Sequence, residues 1–441
     1  MTNRPTHMRL VVGLVALLLG ACAAPPALPS PIATLPPTAA PPPRPLPSAT
    51  PTVQPPSTPL PRATPIPTRR LTLWAVVPEA QHDAFVRLLR DAAVAAGIEL
   101  QIELRSADGL AADIQAAQIS DAQLPDLVWG NQDDLGILQR AGVLQPAPDS
   151  VDETELLAAT VAGAAIDGRR WGTPLAAEGA LVLLYNRRIV DAAPRTTTAL
   201  AAEARRLTGG GRYGLVAGWA EARWFSAILT AAAAGGEFTA DPADTARTTA
   251  ALELWQALRA SGPPPPSTYA EGARLFREGR AAFAIDGDWA LAQYRNYTDT
   301  LDLAVAPMPV EPTTGRAASG PLGGLYLMYG NSLGAADRER AATLGNLLSG
   351  PIFQQRIATD LGRLPARRES LGIPAVRTDP ALAAAAATAD QAPGLPPTEA
   401  LRCRWNAIER VLPPFLLNDL SAEDAALRLQ ELAIPCAIPP A

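Results

Sequence analysis

A proline-rich segment divides this chain of 441 residues into two unequal parts. Residues 23–70 contain 18 prolines, 7 threonines and four arginines, but no acidic residue. Proline fixes φ and lacks the amide donor that helices and central strands require, so this segment cannot join a packed core. Its composition favours an extended tether, and a binding role for its PxxP motifs is the alternative. Residues 71–441 remain to fold, which is enough for two lobes.

The residue types present exclude several classes of chemistry. All 37 cationic residues are arginine, so no Schiff-base lysine or P-loop lysine is available. His7 and His82 are the two histidines, too few for an HExxH motif or a histidine-rich zinc site. Cys22, Cys403 and Cys436 are too scattered for a zinc ribbon or an iron–sulfur cluster. These residue types lead us to expect no metal and no cofactor, and a formal net charge of −6 gives no bulk attraction to nucleic acid.

The N terminus has the pattern of a secretory leader. Two arginines precede an apolar run, Leu10–Leu19, that is too short to span a bilayer as a helix. The run ends in LGAC, which resembles a bacterial lipobox and implies lipidation of Cys22. An ordinary leader with a chance cysteine is the alternative. We expect a signal peptide over 1–21, a tether over 22–70, and an extracytoplasmic protein held on the cell membrane by its lipid alone.

The body begins with a strand, a helix and a second strand. Leu71–Val77 is a continuous apolar run, and apolar residues then recur at helical spacing until Gly97. IELQIEL at 98–104 alternates with period two, so the pattern predicts an α/β sheet that starts with parallel strands. Further strands are predicted at 127–129 and 180–185, and further helices at 109–119, 198–207, 225–234 and 246–260. We expect breaks at the PPPP run, 263–266, and at a crossing between lobes over 309–324.

One glycine motif suggests a nucleotide site but stands in the wrong order. Gly209, Gly211 and Gly214 form GxGxxG. The dinucleotide fingerprint requires a strand before it and a helix after it, whereas here a predicted helix precedes and a strand-like run follows. We interpret the motif as a flexible turn.

Six segments, in this order, resemble the extracellular solute-binding proteins of ABC importers, the group that includes the maltose and maltodextrin receptors. They are LTLWAVVPE, LPDLVWGNQDDLGILQRAGVLQP, GRRWGTPLAAEGALVLLYNRR, FREGRAAFAIDGDWALAQY, LAVAPMPVEP and SGPIFQQRIATDLGRLPARRES. The resemblance covers nearly all of 71–441. It implies a type II periplasmic-binding-protein-like α/β fold with two discontinuous lobes joined by hinge crossovers. The first lobe would comprise 71–180 and about 322–352, and the second about 181–321 and 353–441.

The resemblance also implies a function without catalysis. The protein would capture a maltodextrin-like oligosaccharide between its lobes and deliver it, as a monomer, to the permease subunits of an ABC transporter. The same fold could instead bind a non-sugar solute or act as a sensor adaptor. A secreted glycoside hydrolase is a remote alternative, for which Asp286 and Asp288 would be the carboxylate pair.

Sugar receptors need aromatic platforms and carboxylates that converge from both lobes. By position in the resembling segments, seven residues are candidates for ligand contact: Trp289, Trp405, Trp224, Trp129, Asp133, Glu178 and Glu221. The alternative for each tryptophan is core packing, and for each acid a solvated surface. Arg223, just before Trp224, stands where those receptors keep an aromatic residue. We expect Trp74, Trp171 and Trp255 to lie in the core.

Two cysteines remain in the mature body. Because an exported compartment favours oxidation, we expect a disulfide between Cys403 and Cys436 that pins the C-terminal helices.

Overall fold

A computed structural model describes residues 70–106, 109–232 and 245–437. The predicted leader, lipidated Cys22 and tether lie outside these residues. Among the described residues, fifteen strands are β1 Leu71–Val76, β2 Leu100–Arg105, β3 Leu127–Asn131, β4 Leu144–Gln145, β5 Ala165–Ile166, β6 Arg169–Arg170, β7 Gly172–Glu178, β8 Leu181–Asn186, β9 Tyr213–Val216, β10 Ala281–Gly287, β11 Leu303–Ala306, β12 Val310–Glu311, β13 Arg316–Ala317, β14 Gly323–Gly330 and β15 Leu364–Pro365.

Fifteen α-helices surround these strands in the described part of the chain. They are α1 His82–Ala95, α2 Leu110–Ile119, α3 Gln132–Arg140, α4 Ala158–Gly163, α5 Thr197–Leu207, α6 Ala222–Ala232, α7 Thr245–Arg259, α8 Tyr269–Arg277, α9 Leu291–Tyr294, α10 Ala335–Ser349, α11 Pro351–Leu361, α12 Pro374–Thr378, α13 Pro380–Ala389, α14 Glu399–Leu416 and α15 Ala422–Ala433. In the described residues no helix is both long and apolar enough to cross a membrane.

The first lobe is built on a seven-stranded sheet in the order β15-β7-β14-β3-β1-β2, with β4 paired to β14. Its first three strands are parallel, as the sequence pattern predicts, and β14 joins them in antiparallel orientation. The predicted helix stop is also present, because Gly97 has a φ of +67° just after α1. The polar alternation of β2 fits its place at the edge of the sheet, where one face remains partly exposed.

The second lobe is built on a four-stranded sheet in the order β11-β8-β10-β9. Its strands β8 and β10 are antiparallel partners, whereas β9 and β10 run parallel. Helices α6, α7, α14 and α15 cover one face and bury an aromatic and aliphatic core against it. Helix α5 precedes β9, so the glycines of the GxGxxG motif follow a helix and lead into a strand, which confirms the turn interpretation.

The chain crosses between the two sheets at three places. Gly179 and Ala180 connect β7 to β8, and residues 307–322 connect β11 to β14. The third crossing follows β15, later than the sequence predicts. Helix α11 buries Phe353, Ile357 and Leu361 in the core of the first lobe, and β15 pairs with β7. The first lobe therefore extends to Pro365, and the predicted boundary at 352 is wrong.

A disulfide joins Cys403 in α14 to Cys436 after α15, with 5.5 Å between the two Cα atoms. Helices α14 and α15 also pack on each other, and α14 contacts α6. The bond therefore holds the chain end onto the helix that carries Trp405.

Candidate functional site

The candidate site lies where the two sheets meet, around the crossing at Gly179. It receives α3 from the first lobe, and the start of α6, the end of β10 and helix α14 from the second. A cavity of about 240 Å³ lies at one side of this region, between α3 and α14, with Asp133 on one wall and Trp405 on the other. Ligands in α/β proteins bind beyond the carboxyl ends of strands, and β3, β7, β9 and β10 all end in this region.

Trp289 is exposed to solvent. Its side chain is 39% exposed, although it directly follows the buried strand β10. The ring lies over Gly287, where a Cβ atom would approach the Cζ3 atom of the indole to 2.0 Å. Behind it, the Trp224 ring meets it edge-on at 6.1 Å between centroids. Trp289 is therefore fixed in orientation while part of the residue stays exposed, as a stacking platform requires.

Trp224 is placed behind this platform and not in the cleft. It is buried, and its indole N–H donates to the carbonyl oxygen of Ile285 at 2.8 Å. Its ring also packs on Tyr269 at 5.0 Å. Its N–H is used by Ile285 and its ring packs against Tyr269 and Trp289. Trp224 therefore supports Trp289 from behind and does not face the cleft.

Trp129 also lies away from the cleft. It is 1% exposed in the middle of β3, and its ring meets the edge of Phe85 at 4.9 Å in the core of the first lobe. Trp129 therefore packs in the core, which is the alternative to ligand contact for each candidate tryptophan. Trp74 and Trp255 are buried as expected, whereas Trp171 is partly exposed.

Trp405 is half-buried on α14 and faces the cavity opposite α3. Helix α3 begins with a capping box, in which the Asn131 side chain accepts from the backbone N–H of Asp133 and Asp134. In turn, the Asp134 carboxylate accepts a hydrogen bond from the Asn131 N–H at 3.2 Å. The cap thus uses Asp134 and leaves the Asp133 carboxylate exposed at the cavity wall.

Burial raises the pKa of Asp134 to about 6, against the lowering effect of the Asn131 hydrogen bond. The neighbouring charges of Asp133 and Glu178 act in the same direction as burial. The first turn of α3 therefore holds one carboxylate committed to the helix and one free to meet a ligand.

The crossing between β7 and β8 is held by charged groups on both sides. Glu178 forms an ion pair with Arg363 at 2.8 Å between Nη1 and Oε1. The Gly179 N–H donates to Oδ1 of Asp288 at 3.2 Å, and the Asp288 N–H donates to the Ala180 carbonyl at 2.9 Å. Burial, followed by the Glu178 charge, raises the pKa of Asp288 to about 7.

Arg223, which stands where the resembling receptors keep an aromatic residue, lies at the centre of the site. Its guanidinium carbon is 5.4 Å from the ring centroids of both Trp289 and Trp405. Nη1 donates a long hydrogen bond to the Gly179 carbonyl at 3.5 Å. Desolvation lowers its pKa, and the charges of Asp133, Asp288, Glu178 and Glu221 act in the opposite direction.

Glu221 is half-buried beside Arg223, and burial raises its pKa, with Glu409 and Asp286 adding to the effect. Five of the seven predicted residues therefore surround Arg223: Trp289, Trp405, Asp133, Glu178 and Glu221. They place aromatic faces and carboxylates from both lobes around one guanidinium. Such a set can stack on sugar rings and accept hydrogen bonds from hydroxyl groups.

The carboxylate pair considered for a hydrolase is not arranged for one. Asp286 is 1% exposed and accepts hydrogen bonds from the hydroxyls of Tyr269 and Tyr294 and from the Gly287 N–H. Its carboxylate is thus enclosed and supports the turn that carries Trp289. The Asp288 carboxylate accepts instead from the Gly179 N–H at the crossing. Within the described ranges, no group of three or more His, Cys, Asp or Glu side chains could hold a metal ion.

Two lobes with aromatic and acidic side chains converging at their crossings define a binding protein of the two-lobed class. Residues 89–384 match the family model described as bacterial extracellular solute-binding protein. The chain therefore belongs to the bacterial extracellular solute-binding proteins.

Known relatives agree with this assignment. The chain is 24% identical over 325 residues to the maltotriose-binding protein of Pyrococcus abyssi. This match covers 70% of this chain and 69% of the relative. A cyclo/maltodextrin-binding protein complexed with maltotetraose superposes with a TM-score of 0.70 at 19% identity, covering 82% of this chain and 96% of the other. The maltose-binding periplasmic protein of Listeria monocytogenes, solved with maltose, gives 0.67 at 17% identity, covering 83% and 97%. These structures establish the two-lobed fold.

Proposed function

We propose that this protein captures a maltodextrin-like oligosaccharide between its lobes and delivers it to the permease subunits of an ABC importer. The observation that carries the proposal is the convergence of Trp289 and Trp405 with Asp133, Glu178 and Glu221 at the crossing of the lobes. A sugar offers apolar ring faces and a girdle of hydroxyls, which match indoles and carboxylates respectively. The names of the relatives support a ligand of this class.

The proposal includes location and assembly. The lipobox-like sequence supports an anchor on Cys22, and the proline-rich segment after it supports a tether that carries the folded body away from the membrane surface. The protein would act there as a monomer, without catalysis. Because contacts to both lobes exist together only when the lobes meet around the ligand, occupancy and conformation are linked. The permease would recognise that conformation.

A thermal-shift screen of the full-length protein tests the proposed ligand class. Maltose, maltotriose, maltotetraose, trehalose, xylo-oligosaccharides, cello-oligosaccharides and polyols form the panel, with tryptophan fluorescence as a second readout. A ligand at about 100 times its Kd stabilises the native state by about 2.7 kcal/mol, so the melting temperature rises with the maltodextrins. A cooperative melt that no carbohydrate shifts would reject the sugar and favour a non-sugar solute.

A further inference from the structure

Arg223 carries hydrogen-bond donors into the cleft that the protein itself does not use. A guanidinium has five N–H donors, and here one of them makes a single long bond, to the Gly179 carbonyl at 3.5 Å. Among the described residues, none forms an ion pair with it within 4.0 Å, although the charges of four acids act on it. Arg223 is partly exposed, and none of its nitrogens is among the buried side-chain atoms that lack a partner, so its remaining donors stay open to a ligand that accepts from them.

The position of this side chain is determined by the surrounding backbone. Gly179 has a φ of +91°, and a Cβ atom there would lie 2.8 Å from Nη1 of Arg223. The two indoles flank the guanidinium at equal distances of 5.4 Å. Arg223 is thus held between the two aromatic platforms, within reach of any ring that stacks on either of them.

The charges around Arg223 indicate which oxygen atoms it would meet. Asp133, Asp288, Glu178 and Glu221 all act electrostatically on the guanidinium, so the protein already balances its positive charge. A ligand carboxylate entering the same space would meet more acids than cations, even with Asp288 protonated below about pH 7. Hydroxyl and ether oxygens accept from arginine without adding negative charge.

We propose that Arg223 is a ligand-binding residue that donates hydrogen bonds to uncharged oxygens of the bound sugar, at a site whose surrounding acids disfavour uronates. This inference rests on the proposed function and names a determinant of specificity within the same site. Arg223 differs in this respect from an aromatic residue at the same position, which would offer a stacking face and no charged donor.

Calorimetric titration of full-length wild type, Arg223→Met and Arg223→Lys with maltotriose and with trigalacturonate tests this inference. Arg223→Met keeps the apolar stem and removes every donor, so maltotriose affinity should fall by about tenfold to a hundredfold. Arg223→Lys should recover only part of the loss, because it lacks the planar fork. The control Arg205→Met changes an exposed arginine on α5 and should bind like wild type. Wild type should prefer maltotriose to trigalacturonate.

The melting temperature without ligand separates binding from a structural role. Removing a partly exposed side chain with one long hydrogen bond should leave a cooperative melt close to that of wild type, whereas loss of that cooperative melt would show a structural role. Unaltered maltotriose affinity in Arg223→Met, or tighter wild-type binding of trigalacturonate, would overturn the inference while leaving the proposed function standing. Failure of wild type to bind either probe would reject both.

Discussion

At the residue scale, the orientation of Trp289 depends on the absence of a side chain at Gly287. A Cβ atom on residue 287 would lie only 2.0 Å from the Cζ3 atom of the Trp289 indole. Gly287→Ala should therefore push the ring off its position and weaken maltotriose binding by about tenfold or more, the loss of a stacked aromatic face. Calorimetric titration measures the effect.

Gly334→Ala is the matched control, because a Cβ atom at Gly334 meets nothing within 4 Å. That variant should bind as wild type does. Equal affinities for the two alanine variants would show that the placement of Trp289 does not govern binding.

The sequence could locate candidate tryptophans but could not tell which were exposed. Trp129 and Trp289 both stand near the end of a strand, yet β3 continues to Asn131 and is buried on both faces around Trp129. In β10 the strand ends at Gly287, and the backbone turns before Trp289. No local pattern predicts a ligand-binding role for Arg223, because its neighbours come from α14 and the turn after β10, which are far apart in the sequence.

At the element scale, the C-terminal helices depend on their disulfide. Cys403 and Cys436 close a loop of 33 residues, and a bond of this span stabilises a protein by about 2 to 4 kcal/mol. Reduction should therefore lower the free energy of unfolding by about that amount. Urea denaturation with and without reductant checks the value.

The double variant Cys403→Ser/Cys436→Ser separates the covalent bond from other effects of the reductant. Its urea midpoint should match that of the reduced wild type and should not move when reductant is added. A midpoint equal to that of the oxidised protein would contradict a stabilising bond.

Element order was predictable to a large extent, because helix and strand periodicities are local. The alternation from β1 through β3 and helices α5 and α7 all appear close to their predicted bounds. The lobe that each element joins could not be predicted in this way, because it depends on contacts between distant parts of the chain. Helix α11 has an ordinary amphipathic pattern, and only its contacts with α1 and α10 place it in the first lobe.

At the scale of the whole molecule, a titratable group sits on the crossing between the lobes. Asp288 accepts from the Gly179 N–H, and its pKa of about 7 lies above the ordinary value of 3.8. Between about pH 4 and pH 7 the folded protein keeps this proton while the unfolded chain has lost it. The contribution of Asp288 to the free energy of unfolding therefore decreases as pH rises through that window.

Asp288→Asn removes the titration and keeps an oxygen that can accept from Gly179. The free energy of unfolding of the variant minus that of wild type should increase from about pH 4 to pH 7 and then stay constant. Urea denaturation at several pH values measures the difference, and Asp299→Asn, at an exposed position, is the control for the substitution itself. A constant difference for Asp288→Asn as well would contradict the raised pKa.

The central claim, that one ligand is held by both lobes, is tested most directly by calorimetric titration of maltotriose into wild type, Asp133→Ala and Trp289→Ala. Asp133 belongs to the first lobe and Trp289 to the second, and controls from the same lobes are Asp83→Ala and Tyr297→Ala, both at exposed positions. Both test variants should lose about tenfold or more in affinity, with the controls unchanged. Undiminished affinity in either test variant would contradict a ligand bound between the lobes.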